Sequence, residues 1–232
     1  CYALSYRLRC PLTAQCAGIS AAHLKPTQSE VGIRSRASSP HCAPARQGLP
    51  FMTVIDIHTH VFTEAMIASI QKEAPSLKLQ LKPIDRDSAV LEIADIVQNP
   101  FPRQAWDLEQ RFADMDAAGV DMHLICNVPH TFLYEEEAAL AAATSAILND
   151  SIAALVTQHP KRFRGLATLP MQSPDLAVKE LRRAMGELGL IGAHIGSNIE
   201  GRNLDDPALE PVWQAAGELG AFILVHPHKI AA

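Results

Sequence analysis

The chain is 232 residues long, with 48% hydrophobic residues, 19% charged residues and a formal net charge of −5. That apolar share supplies a sizeable core and excludes a disordered, collagen-like or coiled-coil chain. The lack of a basic surplus argues against a nucleic-acid partner.

Charge is unevenly placed along the chain. Residues 1–51 carry Arg7, Arg9, Lys25, Arg34, Arg36 and Arg46 against one acid, Glu30; residues 52–232 hold 14 of the 20 basic and 24 of the 25 acidic side chains. Cys1, Cys10, Cys16 and Cys42 also precede Met52, at spacings that match no CxxC zinc pattern, and Cys126 alone follows it. A single cysteine in the main body suits a reducing, cytoplasmic location. The Arg- and Ser-containing leader has the composition of an organelle transit peptide. However, the chain opens with Cys and Met52 directly precedes a well-formed strand, so residues 1–51 are expected to be a disordered or non-native leader. No run of 18 apolar residues occurs, and no membrane partner is expected.

From Met52 onward the elements follow in order. Val54–Ile57 is a β-branched strand with a polar exit. Residues 61–106, interrupted by Pro75, Pro83, Pro100 and Pro102, break the regular spacing and read as a capping insertion. In DLEQRFADMDAAG, Leu108, Phe112 and Met115 share a helical face and Gly119 is the stop. His123–Val128 is a second strand, ended by Pro129. Glu135–His159 is Ala-rich and opens with three glutamates suited to a helix N-terminus. Arg164–Leu169 is a third strand. Ser173 and Pro174 then begin a helix through Leu181, Met185 and Leu188 to Gly189. Leu190–Ile195 is a fourth strand, Asp206–Pro207 starts another helix that ends at Gly220, and Ala221–His226 is a fifth strand.

Short apolar runs alternating with helices predict an α/β fold with a parallel sheet, either doubly wound or closed as a barrel. No GxGxxG or GxxxxGK[ST] follows a strand, so no nucleotide fingerprint favours the doubly wound form.

Three histidines stand where such folds place chemistry. His58 and His60, two apart at the end of the first strand, share a face and form a natural pair of metal ligands. His226 ends the fifth strand, which a barrel can bring opposite the first. Together they would give three ligands and leave a position open. His194, inside the fourth strand, reads as a packed core residue. His228 follows Pro227, which breaks the strand geometry an HxH pair needs. His130 reads as solvent-exposed at a strand exit, His123 and His159 as surface or helix-end residues, and Cys126 as a small buried apolar residue. His23 and His41 belong to the leader and carry no assignment.

VIDIHTH, WDLEQRFADMDAAGVDMHLICNVPHTFLY, the stretch from NDSIAALV to GAHIGSNI, and FILVHPH together resemble the aminocarboxymuconate-semialdehyde decarboxylase-like family. This is the amidohydrolase-related (amidohydrolase 2) branch of the metal-dependent hydrolase superfamily. The likeness covers about residues 52–230. It implies a (β/α)8 TIM-barrel type of fold with a small insertion after the first strand, here truncated after about five strands. It implies zinc, or another divalent metal, on His58, His60 and His226. The family adds a proton-transferring histidine after its sixth strand and a metal-ligating aspartate after its eighth. The chain stops at Ala232 before either, so the catalytic residue is unassigned and residues 52–232 read as the N-terminal part of the domain. The family also uses an arginine of the insertion to hold a substrate carboxylate; of Arg86 and Arg103, Arg103 is the candidate. Phe132 and Tyr134 match the family and would line the pocket.

The activity implied is metal-dependent, non-oxidative decarboxylation of an unsaturated or aromatic carboxylic acid, with that small acid as the partner. Metal-dependent hydrolysis of a lactone or amide is the alternative, because fold does not separate the two chemistries. A third reading makes the 232-residue chain an inactive fragment that binds metal weakly. Relatives commonly form homodimers, although no residue here demonstrates one.

Overall fold

A computed structural model describes Arg7–Leu8 and residues 53–229. The leader expected over residues 1–51, with its four cysteines and His23 and His41, lies outside the described residues except for Arg7–Leu8, which pairs antiparallel with Asp56 and Ile55.

The first half contains β1 (Ile55–His60), α1 (Glu64–Glu73), β2 (Gln80–Pro83), β3 (Ser88–Ile93), β4 (Ile96–Pro102), α2 (Leu108–Ala118) and β5 (Met122–Cys126). After it come α3 (Ala138–Gln158), β6 (Phe163–Gly165), β7 (Ala167–Thr168), α4 (Pro174–Gly186) and β8 (Gly192–Gly196). A small hairpin of β9 (Asn198–Ile199) and β10 (Arg202–Asn203) precedes α5 (Glu210–Leu219) and β11 (Phe222–His226).

Local chemistry sets these bounds. Asp107 caps α2 by accepting from the Gln110 N–H, and Gly119 ends the helix at φ 64°, a conformation glycine takes without a Cβ clash. Asp206 accepts from the Ala208 N–H ahead of the short 3₁₀ turn that leads into α5. Three boundaries differ from expectation. β1 runs past Ile57, so both histidines sit inside the strand. α3 begins at Ala138 rather than Glu135, because Leu133 adopts φ 52° and the Glu136 N–H bonds back to the Leu133 carbonyl, turning the chain first. The strand expected over Arg164–Leu169 is two pieces, interrupted at Leu166, whose N–H bonds the Ile125 carbonyl.

That interruption hands one chain segment from neighbour to neighbour. β5 lies between β1 and β6, and β8 lies between β7 and β11, with every pairing parallel. The result is an arc of five parallel strands in chain order. Laid flat, five strands spaced ~4.8 Å apart would hold the outer two about 19 Å from each other. The rings of His58 on β1 and His226 on β11 have centroids 5.0 Å apart, so the sheet curls and its strand ends face a common centre. β1 and β11 are not paired with each other, and among the described residues the arc stays open.

The core lies on both faces of this arc. Every residue of β8 is buried. Outside it α3 packs tightly: a Cβ at Gly165 would lie 2.5 Å from Ile152 Cγ2. α3 meets the length and composition of a membrane-crossing helix although no run of 18 apolar residues occurs. Its packing explains the apolar content, since Leu148, Ile152 and Leu155 are buried and Asn149 bonds Thr168 of β7. In the region of residues 61–106, α1 is followed by an antiparallel sheet of β2, β3 and β4, with Leu91, Ile93 and Phe101 buried.

Candidate metal centre

Three parallel strands deliver four imidazoles to one place. β1 supplies His58 and His60, β8 supplies His194, and β11 supplies His226. Ring centroids are 5.0 Å apart for His58–His60, 5.0 Å for His58–His226 and 5.1 Å for His60–His226. His58, His60 and His226 each offer one ligand atom, all within 4.8 Å of one another. This brings the three sequence-predicted ligands together.

Hydrogen bonds fix which nitrogens are free. His60 Nδ1 lies 3.0 Å from the Asn127 carbonyl and His226 Nδ1 lies 2.7 Å from the Pro227 carbonyl. A carbonyl only accepts, so in both rings Nδ1 carries the hydrogen and Nε2 keeps a lone pair, the arrangement that prepares a histidine to bind a cation. Burial, reinforced by the neighbouring His226 and His58, pushes the His60 pKa down to about 3. Burial also lowers that of His226. The rings are therefore neutral at pH 7, as metal ligation requires.

A second set, His60, Cys126 and His194, also lies within ligand spacing. It is the poorer donor set. The Cys126 thiol is fully buried, and burial pushes its pKa up, away from the thiolate a metal needs. Its Sγ sits 3.3 Å from His60 Nδ1, the nitrogen already spent on Asn127.

Behind the triad runs a chain of buried hydrogen bonds. Asn127, whose carbonyl holds His60, donates from Nδ2 to Thr168 Oγ1 at 3.2 Å. The Thr168 N–H donates to Asn149 Oδ1 at 2.8 Å, and Asn149 Nδ2 donates to the Thr168 carbonyl at 2.9 Å and to Glu180 Oε1 at 2.7 Å. Glu180 is clamped in turn by Arg183. On the other side, Arg111 donates to the His60 carbonyl and contacts His123 Nδ1 at 3.2 Å.

Phe132 and Tyr134 stand beside the cluster. Both are fully buried, stacked at 5.3 Å, and the Phe132 ring is 4.8 Å from His194 and 6.5 Å from His226. The Tyr134 hydroxyl accepts from the Gly196 N–H at 3.0 Å. Arg103 is elsewhere engaged: its guanidinium donates to the Asp107 carboxylate at 2.7 and 2.8 Å and to the Arg86 carbonyl. None of these contacts is with the histidine cluster.

The remaining histidines divide. His194 was expected to be a packed core residue, and it is fully buried, but it packs among ligands: 5.3 Å from the His60 ring and 5.2 Å from His226. Burial, then His60 and His226, holds its pKa well below the usual value. His228, outside the strand as Pro227 dictates, is buried against Phe132 and Tyr134 at 5.3 Å from each ring. His130 is half-buried rather than exposed, and burial lowers its pKa to about 4. His123 is half-buried against Arg111, and His159 packs on Phe112 and Phe163.

Reasoning from sequence missed His194, Asn127 and Arg111. Arg111 carried a signal, because it shares the helical face of Leu108 and Met115. His194 carried a fainter one: as the middle of GAHIG it has a glycine two residues away on either side, so no side chain flanks it on its face of the strand.

Unpartnered buried polar atoms gather at this place. Asn127 Oδ1, His130 Nδ1, His228 Nε2 and both ring nitrogens of His194 are buried without a hydrogen bond. Folded proteins leave few such groups, and those of His194 lie beside the His60 and His226 rings. The surroundings suit a polar guest.

Comparison with known proteins gives a consistent picture. Residues 55–232 match the sequence model of the family described as Amidohydrolase. The chain is 35% identical over 184 residues to 2-amino-3-carboxymuconate-6-semialdehyde decarboxylase of Dictyostelium discoideum, covering 76% of this chain and 49% of that protein. It is 33% identical to the crystal structure of 5-carboxyvanillate decarboxylase from Sphingomonas paucimobilis, at a TM-score of 0.51 over 54% of this chain and 37% of that one. It is 25% identical to a dihydroxybenzoic acid decarboxylase from Polaromonas, solved with bound manganese and the inhibitor 2-nitroresorcinol, at a TM-score of 0.56 over 76% of this chain and 50% of that one. The chain spans about half the length, or less, of each of these relatives.

Proposed function

We propose, from the premise that the chain belongs to the amidohydrolase family, that His58, His60 and His226 hold a divalent cation. We further propose that the site serves the non-oxidative decarboxylation of an unsaturated or aromatic carboxylic acid. The observation that carries the metal reading is the converging triad, with the Nδ1 atoms of His60 and His226 tied to backbone carbonyls and their Nε2 lone pairs free. Support for the chemistry comes from the relatives, which are decarboxylases of small carboxylic acids. Manganese, present in the Polaromonas enzyme, and zinc are the ions to test first.

When bound, the cation supplies Lewis-acid charge that anchors and polarises the oxygens of the acid. This chain's own residues do the rest of what can be assigned. The carbonyls of Asn127 and Pro227 hold two ligand rings in one tautomer and orientation. Arg111 and the Asn127–Thr168–Asn149 chain hold the strand ends that carry them. Phe132 and Tyr134 exclude water from one side of the cluster and present a flat apolar surface to a planar acid.

The test is carbon dioxide release by the protein, loaded with manganese or zinc, from 2,6-dihydroxybenzoate, 5-carboxyvanillate and 2-amino-3-carboxymuconate semialdehyde. Release should follow metal occupancy and vanish in His58→Ala, His60→Ala and His226→Ala. No release from any acid by fully metal-loaded protein, with opening of lactones instead, would overturn decarboxylation in favour of hydrolysis.

A further inference from the structure

His194 is the buried polar side chain that the metal triad leaves unused. A neutral imidazole has one N–H donor and one acceptor nitrogen. Here neither has a partner, and the residue is fully buried. Leaving both unmade is costly in a folded core, so a histidine kept only for packing would be better replaced by an apolar residue. Its ring neighbours are His60, His226 and Phe132. The first two have their Nδ1 hydrogens on backbone carbonyls, and neither is a hydrogen-bond partner of His194. Cys126 lies within ligand spacing, but its sulfur is occupied with the Thr59 carbonyl and His60.

Position separates His194 from the triad. No ring contact joins it to His58 among the described residues, and it does not share the ligand spacing of His58 and His226. It borders the triad along the edge made by His60 and His226, and the Phe132 ring lies 4.8 Å from it. A group bound beside His194 would have both the cation site and an aromatic ring within reach.

We propose that His194 is a specificity-determining residue whose ring N–H donates to an oxygen of the bound unsaturated or aromatic carboxylic acid, while Phe132 packs against the acid's planar face. The proposal rests on the reading of the triad as a cation site serving such an acid. It assigns His194 to the substrate and not to the metal.

The experiment compares wild type with His194→Leu and His194→Gln at saturating manganese. Manganese affinity is followed by electron paramagnetic resonance, and binding of 2,6-dihydroxybenzoate by calorimetry; carbon dioxide release is scored separately. His194→Leu should bind manganese within about twofold of wild type but bind the acid ~10–100-fold more weakly, the usual result of losing a hydrogen bond to a charged group. His194→Gln keeps an N–H donor and should recover most of that loss. The ligand-free His194→Leu protein should melt no lower than wild type, because the unmet polar group is gone; a structural histidine would show a lower Tm. Three results would overturn the proposal: unchanged acid binding in His194→Leu, loss of manganese in step with acid, or a wild type that binds none of the acid. Acid binding that depends on His194 without any carbon dioxide release would uphold this assignment and sink the decarboxylase reading alone.

Discussion

Asn149 is the point at which the chain of bonds behind the metal ligands can be cut cleanly. In Asn149→Leu the number and branching of the side-chain heavy atoms are kept, while the Thr168 N–H loses its acceptor at 2.8 Å and the Thr168 carbonyl loses its donor at 2.9 Å. Glu180 still has Arg183 at 2.8 Å, so two buried backbone groups are orphaned. At ~1–3 kcal/mol for each unmet group, the expected loss is about 2–6 kcal/mol. That is a large part of the ~5–15 kcal/mol that holds a typical domain. Asn149→Asp sharpens the test. It keeps the acceptor for Thr168 N–H but sets a second carboxylate 2.7 Å from Glu180 Oε1, where a donor stood. At pH 7 it should be at least as unstable as the leucine variant, and it should recover on acidification, when one proton can be shared between the two acids. Urea unfolding followed by circular dichroism reads both, through a lower midpoint at unchanged slope. Because Thr168 also receives the Asn127 bond, manganese affinity should fall along with stability. A cost below about 1 kcal/mol for Asn149→Leu, against that ~2–6 kcal/mol, or an aspartate variant as stable as wild type at pH 7, would refute the reasoning.

Other outcomes follow from the same geometry. The pKa values of His60, His123 and His130, lowered mainly by burial to about 3, 4 and 4, lie below their unfolded values, so the unfolded chain binds more protons between those values and ~6.5. Stability of the metal-free protein should therefore be full above about pH 6.5 and fall steadily as pH drops toward 4; an acid-induced rise in Tm over that window would contradict the assignment. Gly196→Ala places a Cβ 2.9 Å from Tyr134 Cε2 and 3.0 Å from His228 Cβ. The crowding should cost ~1–3 kcal/mol and blunt acid binding, measurable by denaturation and calorimetry. Arg103→Ala should cost under about 1 kcal/mol, as partly exposed ion pairs do, and leave acid affinity unchanged, since its fork is spent on Asp107. Asp107→Ala should cost roughly 1 kcal/mol more, because it also removes the cap on α2.

Elements with a local signature were legible in the sequence. β-branched runs ended by prolines marked the parallel strands, and the Gly119 and Gly220 stops fall where left-handed turns end α2 and α5. His58 and His60 could be read because two-residue spacing on a strand fixes a shared face. His226 could be placed because it ends a strand. What escaped depends on contacts between distant segments. Nothing near Leu166 announces that a strand will pair with one neighbour and then another. Nothing near Asn127 says that its carbonyl will meet a histidine 67 positions away. His194 looked like core because burial is common for a strand-interior residue, and only the surrounding rings show that its nitrogens are left without partners.

The triad also ties together distant parts of the chain. His58 and His60 lie at the start of the described parallel strands and His226 at their end. An ion gripped by all three would act as a removable fastener, closing a loop that holds nearly every other element. Closing so long a loop restricts the unfolded chain far more than the native one. Loading the ion should thus raise the stability of the whole arc, and a chelator would undo a structural clasp as well as chemistry.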